Sequence, residues 1–232
     1  YLEVARPLGS ALPLEAILKK AAETRPELII VASPDNPGGG AVTRPELEAL
    51  AGAGPLVLLD ATYGAFAEDQ GLVRHAFTLP RLVVAGSFSK SHGLAGFRSG
   101  WAVASPATAQ VLRQAAPPYA LSSPAIAATL AVLALGPEAI APFVAEVGRE
   151  RSILRDRLAA LGARTWKSEA NFVAVLVADA PLLAADLAAR GVLVRYWKDR
   201  PGRENLIRIT CPGQEAAFLR LLEALDGARG LA

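Results

Sequence analysis

The segment Ser87-Phe88-Ser89-Lys90-Ser91-His92-Gly93-Leu94-Ala95-Gly96-Phe97-Arg98 gathers one amine, several hydroxyls and a guanidinium within a few residues. The apolar run Leu82-Val83-Val84-Ala85 ahead of it predicts a short buried strand, so Lys90 stands on the small-residue turn where that strand ends. An amine so placed suits a Schiff base with an aldehyde cofactor, whose phosphate the Ser87, Ser89 and Arg98 side chains would hold. A surface lysine on a Ser/Gly loop fits the same few residues, because Ser-Lys pairs are common.

Two more polar clusters end apolar runs. Leu28-Ile29-Ile30-Val31-Ala32 stops at Ser33-Pro34-Asp35-Asn36-Pro37 and three glycines, and Leu56-Val57-Leu58-Leu59 stops at Asp60, with Tyr63 just beyond. Taken singly, Asn36 between prolines fits a turn former, Asp60 a cap and Tyr63 a core aromatic. Taken together, Asn36, Asp60, Tyr63 and Lys90 all follow strand ends. In open α/β sheets ligands bind in the crevice outside the carboxyl ends of the strands.

Two arginines lie far downstream. In Leu206-Ile207-Arg208-Ile209-Thr210 the strand period puts Ile207 and Ile209 on one face and Arg208 on the other. In Val192-Leu193-Val194-Arg195-Tyr196 a charge again interrupts an apolar run. The planar guanidinium fork suits a carboxylate or phosphate partner. An edge-strand position facing water is the other reading for both.

These residues need a scaffold, and the first half alternates strand and helix signals. Leu14 to Ala22 has helical spacing, and Thr43 with Glu46 three residues on and Pro45 between them forms a capping-box pattern, Leu47 and Leu50 supplying the buried face. Trp101-Ala102-Val103-Ala104 reads as a further strand. Short apolar strands separated by helices predict an α/β fold with a mainly parallel sheet covered on both faces. The second half changes character. An Ala/Leu-rich helical region begins at Ser122 or Ser123 and is interrupted at Pro137 and Pro142; helicity resumes from Glu146 to Leu161 and stops at Gly162. Strands at Phe172 to Val177, Val192 to Tyr196 and Leu206 to Thr210, with helices Pro181 to Arg190 and Gln214 to Leu225, predict a small α+β unit. The expected division is a large domain over 1–145 and a small C-terminal domain over 146–232.

Composition narrows the class. The 232 residues are 52% apolar and 20% charged, with net charge +2 from mixed signs, so no basic block points to nucleic acid or a membrane surface. No apolar run is long enough to span a bilayer, and no segment is patterned as a signal peptide. Cys211 is alone and cannot form an internal disulfide, as expected in a reducing cytoplasm. With no Met and Tyr1 first, the sequence reads as a piece of a longer product.

As an ordered set, these motifs resemble the fold-type-I pyridoxal-phosphate aminotransferases of the class I/II group, most closely the histidinol-phosphate aminotransferases. Ser33-Pro34-Asp35-Asn36-Pro37 is similar to the family's S-P-N-N-P turn, and Asp60-Ala61-Thr62-Tyr63 to its D-E-A-Y; Ser87 to Lys90 with Gly93 to Arg98 is similar to its Schiff-base segment. Pro117-Pro118-Tyr119, Glu169-Ala170-Asn171-Phe172 and Leu206 to Thr210 also have counterparts. The resemblance implies that Lys90 carries pyridoxal 5′-phosphate and moves the substrate's α-proton. It gives Asp60 the pyridine nitrogen, Tyr63 and Asn36 the ring oxygen, and Ser87, Ser89 and Arg98 the phosphate. Arg208, assisted by Arg195 and Asn171, would bind the substrate. The implied reaction passes an amino group from a small-molecule donor to a 2-oxo acid or oxo-phosphate, in a cytoplasmic homodimer of histidine biosynthesis. A broad-range amino-acid aminotransferase and a threonine-phosphate decarboxylase share most of these residues, and a truncated, non-catalytic chain of the same fold is the reading of another class. Asp35 in place of Asn, and Ala61-Thr62 in place of Glu-Ala, depart from the pattern. The family's N-terminal arm and its Gly/Ser-rich phosphate-binding helix terminus have no counterpart before Val4, so the chain is expected to be a fragment or an abbreviated member.

Overall fold

In a computed structural model that describes residues 1–231, the chain begins with α1 (Leu14–Thr24), β1 (Leu28–Ala32), α2 (Arg44–Gly52), β2 (Leu56–Asp60), β3 (Leu82–Ser87) and β4 (Gly100–Ala104). The strands pair in the order β1-β2-β3-β4. β1, β2 and β3 run parallel, and β4 returns antiparallel along β3, with Ser87 opposite Gly100. α2 starts where its capping box predicts: the Thr43 hydroxyl accepts the Glu46 N–H and the Glu46 carboxylate accepts the Thr43 N–H at 2.7 Å. Its Leu47 and Leu50 pack with Val57, Leu59, Leu82 and Val84 in one buried cluster.

Strand alternation separates this core from the site. Val57 and Leu59 point inward, whereas Asp60 at the strand end is exposed. The near-continuous apolar runs predicted cover on both faces, and here the structure differs. Leu28 and Ile30, on the face opposite Val31, are exposed, Ile30 by 66%. A 3-10 turn follows β2 at Gly64–Phe66, and a longer 3-10 segment spans Gln70–Phe77.

After β4 come α3 (Pro106–Ala115), α4 (Ser123–Ala134) and α5 (Ala141–Ala160). Pro137 does part α4 from α5, but Pro142 lies in the first turn of α5, where its missing N–H costs no hydrogen bond. The second sheet is built from β5 (Arg164–Thr165), β6 (Phe172–Leu176), β7 (Arg195–Tyr196) and β8 (Leu206–Thr210), ordered β5-β6-β8-β7 and antiparallel throughout, with α6 (Ala180–Ala189) and α7 (Glu215–Leu225). β7 is shorter than the apolar run suggested, because only Arg195 and Tyr196 reach the β8 ladder. Val173, Val175, Ile207 and Ile209 form one face and bury against Val147, Leu154 and Leu158 of α5 and Phe218 and Leu221 of α7. Phe172, Ala174 and Arg208 belong to the other face. Among the described residues no helix is long and apolar enough to cross a membrane.

Candidate active site

The second sheet turns its Phe172–Arg208 face toward the strand ends of the first. The Phe172 ring meets the Tyr63 ring edge to face, 5.1 Å between centroids, and the Arg208 guanidinium lies over Phe172 at 4.8 Å. Arg208 Nη1 also donates to Asn36 Oδ1 at 2.9 Å. Lys90 Nζ lies 5.9 Å from the Tyr63 ring centroid. Asn36, Tyr63, Lys90, Phe172 and Arg208, which span most of the chain, therefore form one connected surface. Lys90 and Asn36 are exposed, while Tyr63 and Arg208 are half-buried.

Local geometry positions each group. Asp60 Oδ1 accepts the Thr62 N–H at 2.9 Å, which orients the carboxylate at the end of β2. The Ser87 hydroxyl accepts the Ser89 N–H at 3.1 Å and tightens the turn before Lys90. Arg98 adopts a left-handed conformation, φ 54°, with its guanidinium donating to the Ala95 carbonyl. A non-glycine residue there costs about 1–3 kcal/mol, and such strain gathers at ligand sites. Among the described residues neither Lys90 nor Arg98 has an acidic partner within ion-pair distance, and Arg208 Nε is buried without a hydrogen bond. Behind the strand ends lies a cavity of about 170 Å³ lined in part by Ser33, Ser87, Ser91, His92 and Trp101. Burial lowers the pKa of His92, whose Nδ1 is 2.8 Å from Ser91 Oγ.

Two predicted residues stand further out. Register puts Arg195 opposite Arg208 on the same face, but its exposed guanidinium lies over Trp197 at 5.9 Å. Asn171 precedes β6 beside Phe172, and its carbonyl accepts the Cys211 N–H. A seam that residue types did not announce holds the two sheets together. Arg151 Nη1 donates to the Ala170 carbonyl at 2.9 Å and to that of Phe66 at 3.4 Å, and the Glu169 N–H donates to the Gly39 carbonyl at 2.7 Å. Arg151 is one of several charged residues close together on α5, and only its contacts distinguish it. The Phe172 ring had a weak signal in Glu169-Ala170-Asn171-Phe172.

Among the described residues no cluster of His, Cys, Asp and Glu could hold a metal ion. The donor set fits pyridoxal phosphate: an amine for the aldehyde, a carboxylate for a protonated ring nitrogen, a phenol and an amide for the ring oxygen, and hydroxyls with a guanidinium for the phosphate. A mainly parallel sheet with these groups at its strand ends, met at Tyr63 and Asn36 by a small antiparallel sheet, is the arrangement of the fold-type-I class of pyridoxal-phosphate proteins.

The sequence profile of "Aminotransferase class I and II" matches residues 12–225. The chain is 34% identical over 229 residues to a histidinol-phosphate aminotransferase of Xylella fastidiosa, covering 94% of this chain and 62% of that protein. It is 38% identical over 224 residues to an aromatic amino acid aminotransferase of Rhodococcus jostii, covering 94% and 61%. Its fold superposes with a TM-score of 0.82 on histidinol-phosphate aminotransferase from Sinorhizobium meliloti in complex with pyridoxal-5′-phosphate, at 26% identity over 97% of this chain and 63% of that one. The chain belongs to the class I and II aminotransferase family, and it spans 62% of the length of the first of these relatives.

Proposed function

We propose that this chain carries the cofactor lysine and the substrate clamp of a pyridoxal-phosphate-dependent transaminase that moves an amino group between histidinol phosphate and 2-oxoglutarate. The observation that carries the reading is the single surface joining Lys90, Tyr63, Phe172, Arg208 and Asn36. Pyridoxal phosphate, when bound, supplies the electron sink that makes the substrate's α-proton removable. Lys90 would hold the cofactor through its amine, and its Nζ would be the base that moves the substrate's α-proton. Asp60 would keep a proton on the ring nitrogen. Tyr63 and Asn36 would orient the ring oxygen, and Ser87, Ser89 and Arg98 would hold the phosphate. Arg208 binds the anionic end of the substrate, with Arg195 and Asn171 at the outer rim. In this reading residues 1–145 hold the cofactor and 146–232 the substrate, within a cytoplasmic homodimer.

The Rhodococcus jostii relative supports a second reading, an aromatic amino acid as donor. Assaying full-length protein with histidinol phosphate and with phenylalanine, each against 2-oxoglutarate, separates the two. Borohydride reduction is expected to fix the cofactor on the peptide containing Lys90. A label on Lys19, Lys20, Lys167 or Lys198 would overturn the assignment.

A further inference from the structure

The turn that presents Asn36 is held from inside by its neighbour. Asp35 Oδ1 accepts the Gly40 N–H at 2.7 Å, and Oδ2 accepts the Gly38 N–H at 3.1 Å. The Asp35 backbone closes the same loop: its N–H donates to the Gly40 carbonyl and its carbonyl accepts the Gly39 N–H, each at 2.9 Å. From the N-terminal segment Arg6 Nη1 reaches Asp35 Oδ1 at 3.4 Å and the Gly40 carbonyl at 3.4 Å, while its Nε donates to the Ser10 carbonyl. Both side chains are largely shielded, Arg6 15% and Asp35 23% exposed. Gly39, at φ 79°, has no room for a Cβ against Ser168, so the loop also sits hard against the connection between β5 and β6. Asn36 is the exposed member of this braced turn, and it is the hydrogen-bond partner of Arg208.

We propose that Asp35, locked by Arg6, is a positioning residue that fixes Asn36 under Arg208 and so aims the guanidinium at the substrate's anionic end. This rests on the reading of Arg208 as the substrate clamp. The physical case is preorganisation. Among the described residues Arg208 makes one side-chain hydrogen bond and has a buried Nε without a partner, and it lies against an aromatic face. A long side chain with so few anchors keeps its direction only if the Asn36 carbonyl does not move, and a rigid fork binds an anion without losing rotamer freedom at that moment. Two carboxylate oxygens meeting two N–H groups and a guanidinium are what keep it still. An asparagine at 35 would offer one oxygen, set an amide N–H toward one of the glycine N–H groups, and forfeit the Arg6 charge.

The test is a double-variant cycle on full-length protein, read as KM and kcat for glutamate, together with amide exchange of Gly38, Gly39 and Gly40 in the absence of substrate. Asp35→Ala should speed exchange at those glycines and raise KM on the order of tenfold with a smaller change in kcat, as a small displacement of a positioning group does. Arg6→Ala, which keeps the carboxylate bonds, should shift both readouts in the same direction by less. In an Arg208→Ala background, which by itself raises KM, Asp35→Ala should add nothing further to KM. Full additivity of the two KM effects would overturn the role of Asp35 and leave the clamp intact. So would faster exchange with unchanged KM. An Arg208→Ala variant with ordinary KM would remove the clamp itself, and the positioning role with it. Should Asp35→Ala fail to fold, Asp35→Asn and Arg6→Ala carry the same comparisons.

Discussion

Asp60 stands on β2 next to the strand that leads to Lys90, so its carboxylate and that amine address one ligand from neighbouring strand ends. Only one of its oxygens, that on the Thr62 N–H, has a protein partner among the described residues. Asp60→Asn should keep cofactor bound yet lower turnover by about two to four orders of magnitude, the usual scale of acid–base and electrostatic contributions. Near wild-type turnover would reduce Asp60 to a strand cap. The two arginines should part in the same way. Arg98→Ala should weaken cofactor retention, and Arg208→Ala should spare it while raising the Michaelis constant for glutamate, because removing a charge-assisted partner costs roughly 2–5 kcal/mol. Cys211 lies near this seam, its N–H donating to the Asn171 carbonyl. Burial pushes its thiol pKa up to about 12, so at pH 8 the folded protein should resist iodoacetamide and denatured protein should react readily.

At α2 the capping box and two leucines decide whether the strand ends are held in line. Thr43→Ala should lower stability by about 1 kcal/mol, and Leu47→Ala by about 2–5 kcal/mol because the site is fully buried; chemical denaturation measures both. The start of α7 is held differently. Glu150, fully buried on α5, accepts the Gly213 and Gln214 N–H groups at 2.7 and 3.0 Å. Burial raises its pKa while those two bonds pull it down, and burial prevails. Thr43, Pro45 and Glu46 announce α2 because capping acts within one turn. The Ser105-Pro106 start of α3 carries a similar local signal. Nothing near Gln214 announces Glu150, since the partner lies on another helix.

Across the molecule, stability has an acid-sensitive part. Arg229 and Arg190 flank Asp186; the Arg229 side-chain hydrogen bond above all, then the Arg229 N–H and the charge of both arginines, holds its pKa below the ordinary 3.8. A carboxylate whose folded pKa is depressed contributes stability above its unfolded pKa and loses it as pH falls through the folded one. Asp186→Asn should therefore lower the melting temperature near neutral pH, with the gap to wild type narrowing once the pH drops below 3.8. A gap unchanged down to pH 2 would mean that the charge is not what Asp186 contributes.

The short-range physics of this fold could be read from residue order. Strand period, turn residues and capping act over a few positions, and they announced β1, β2, β3, β8 and the polar groups at the strand ends. They could not say which side of β1 packs within this chain, where Val31 is buried and Leu28 and Ile30 are exposed, because an apolar run reads alike on both faces. The Asn36–Arg208 bond joins residues 172 positions apart, and Arg151 crosses 85 to reach Phe66. Contacts at such separations follow from how two sheets pack, and residue types alone fix neither their partners nor their distances. Sequence determined which side chains could do the chemistry; tertiary packing decided that Arg208 lies over Phe172 and against Asn36, and that Arg195 lies on Trp197 at the rim.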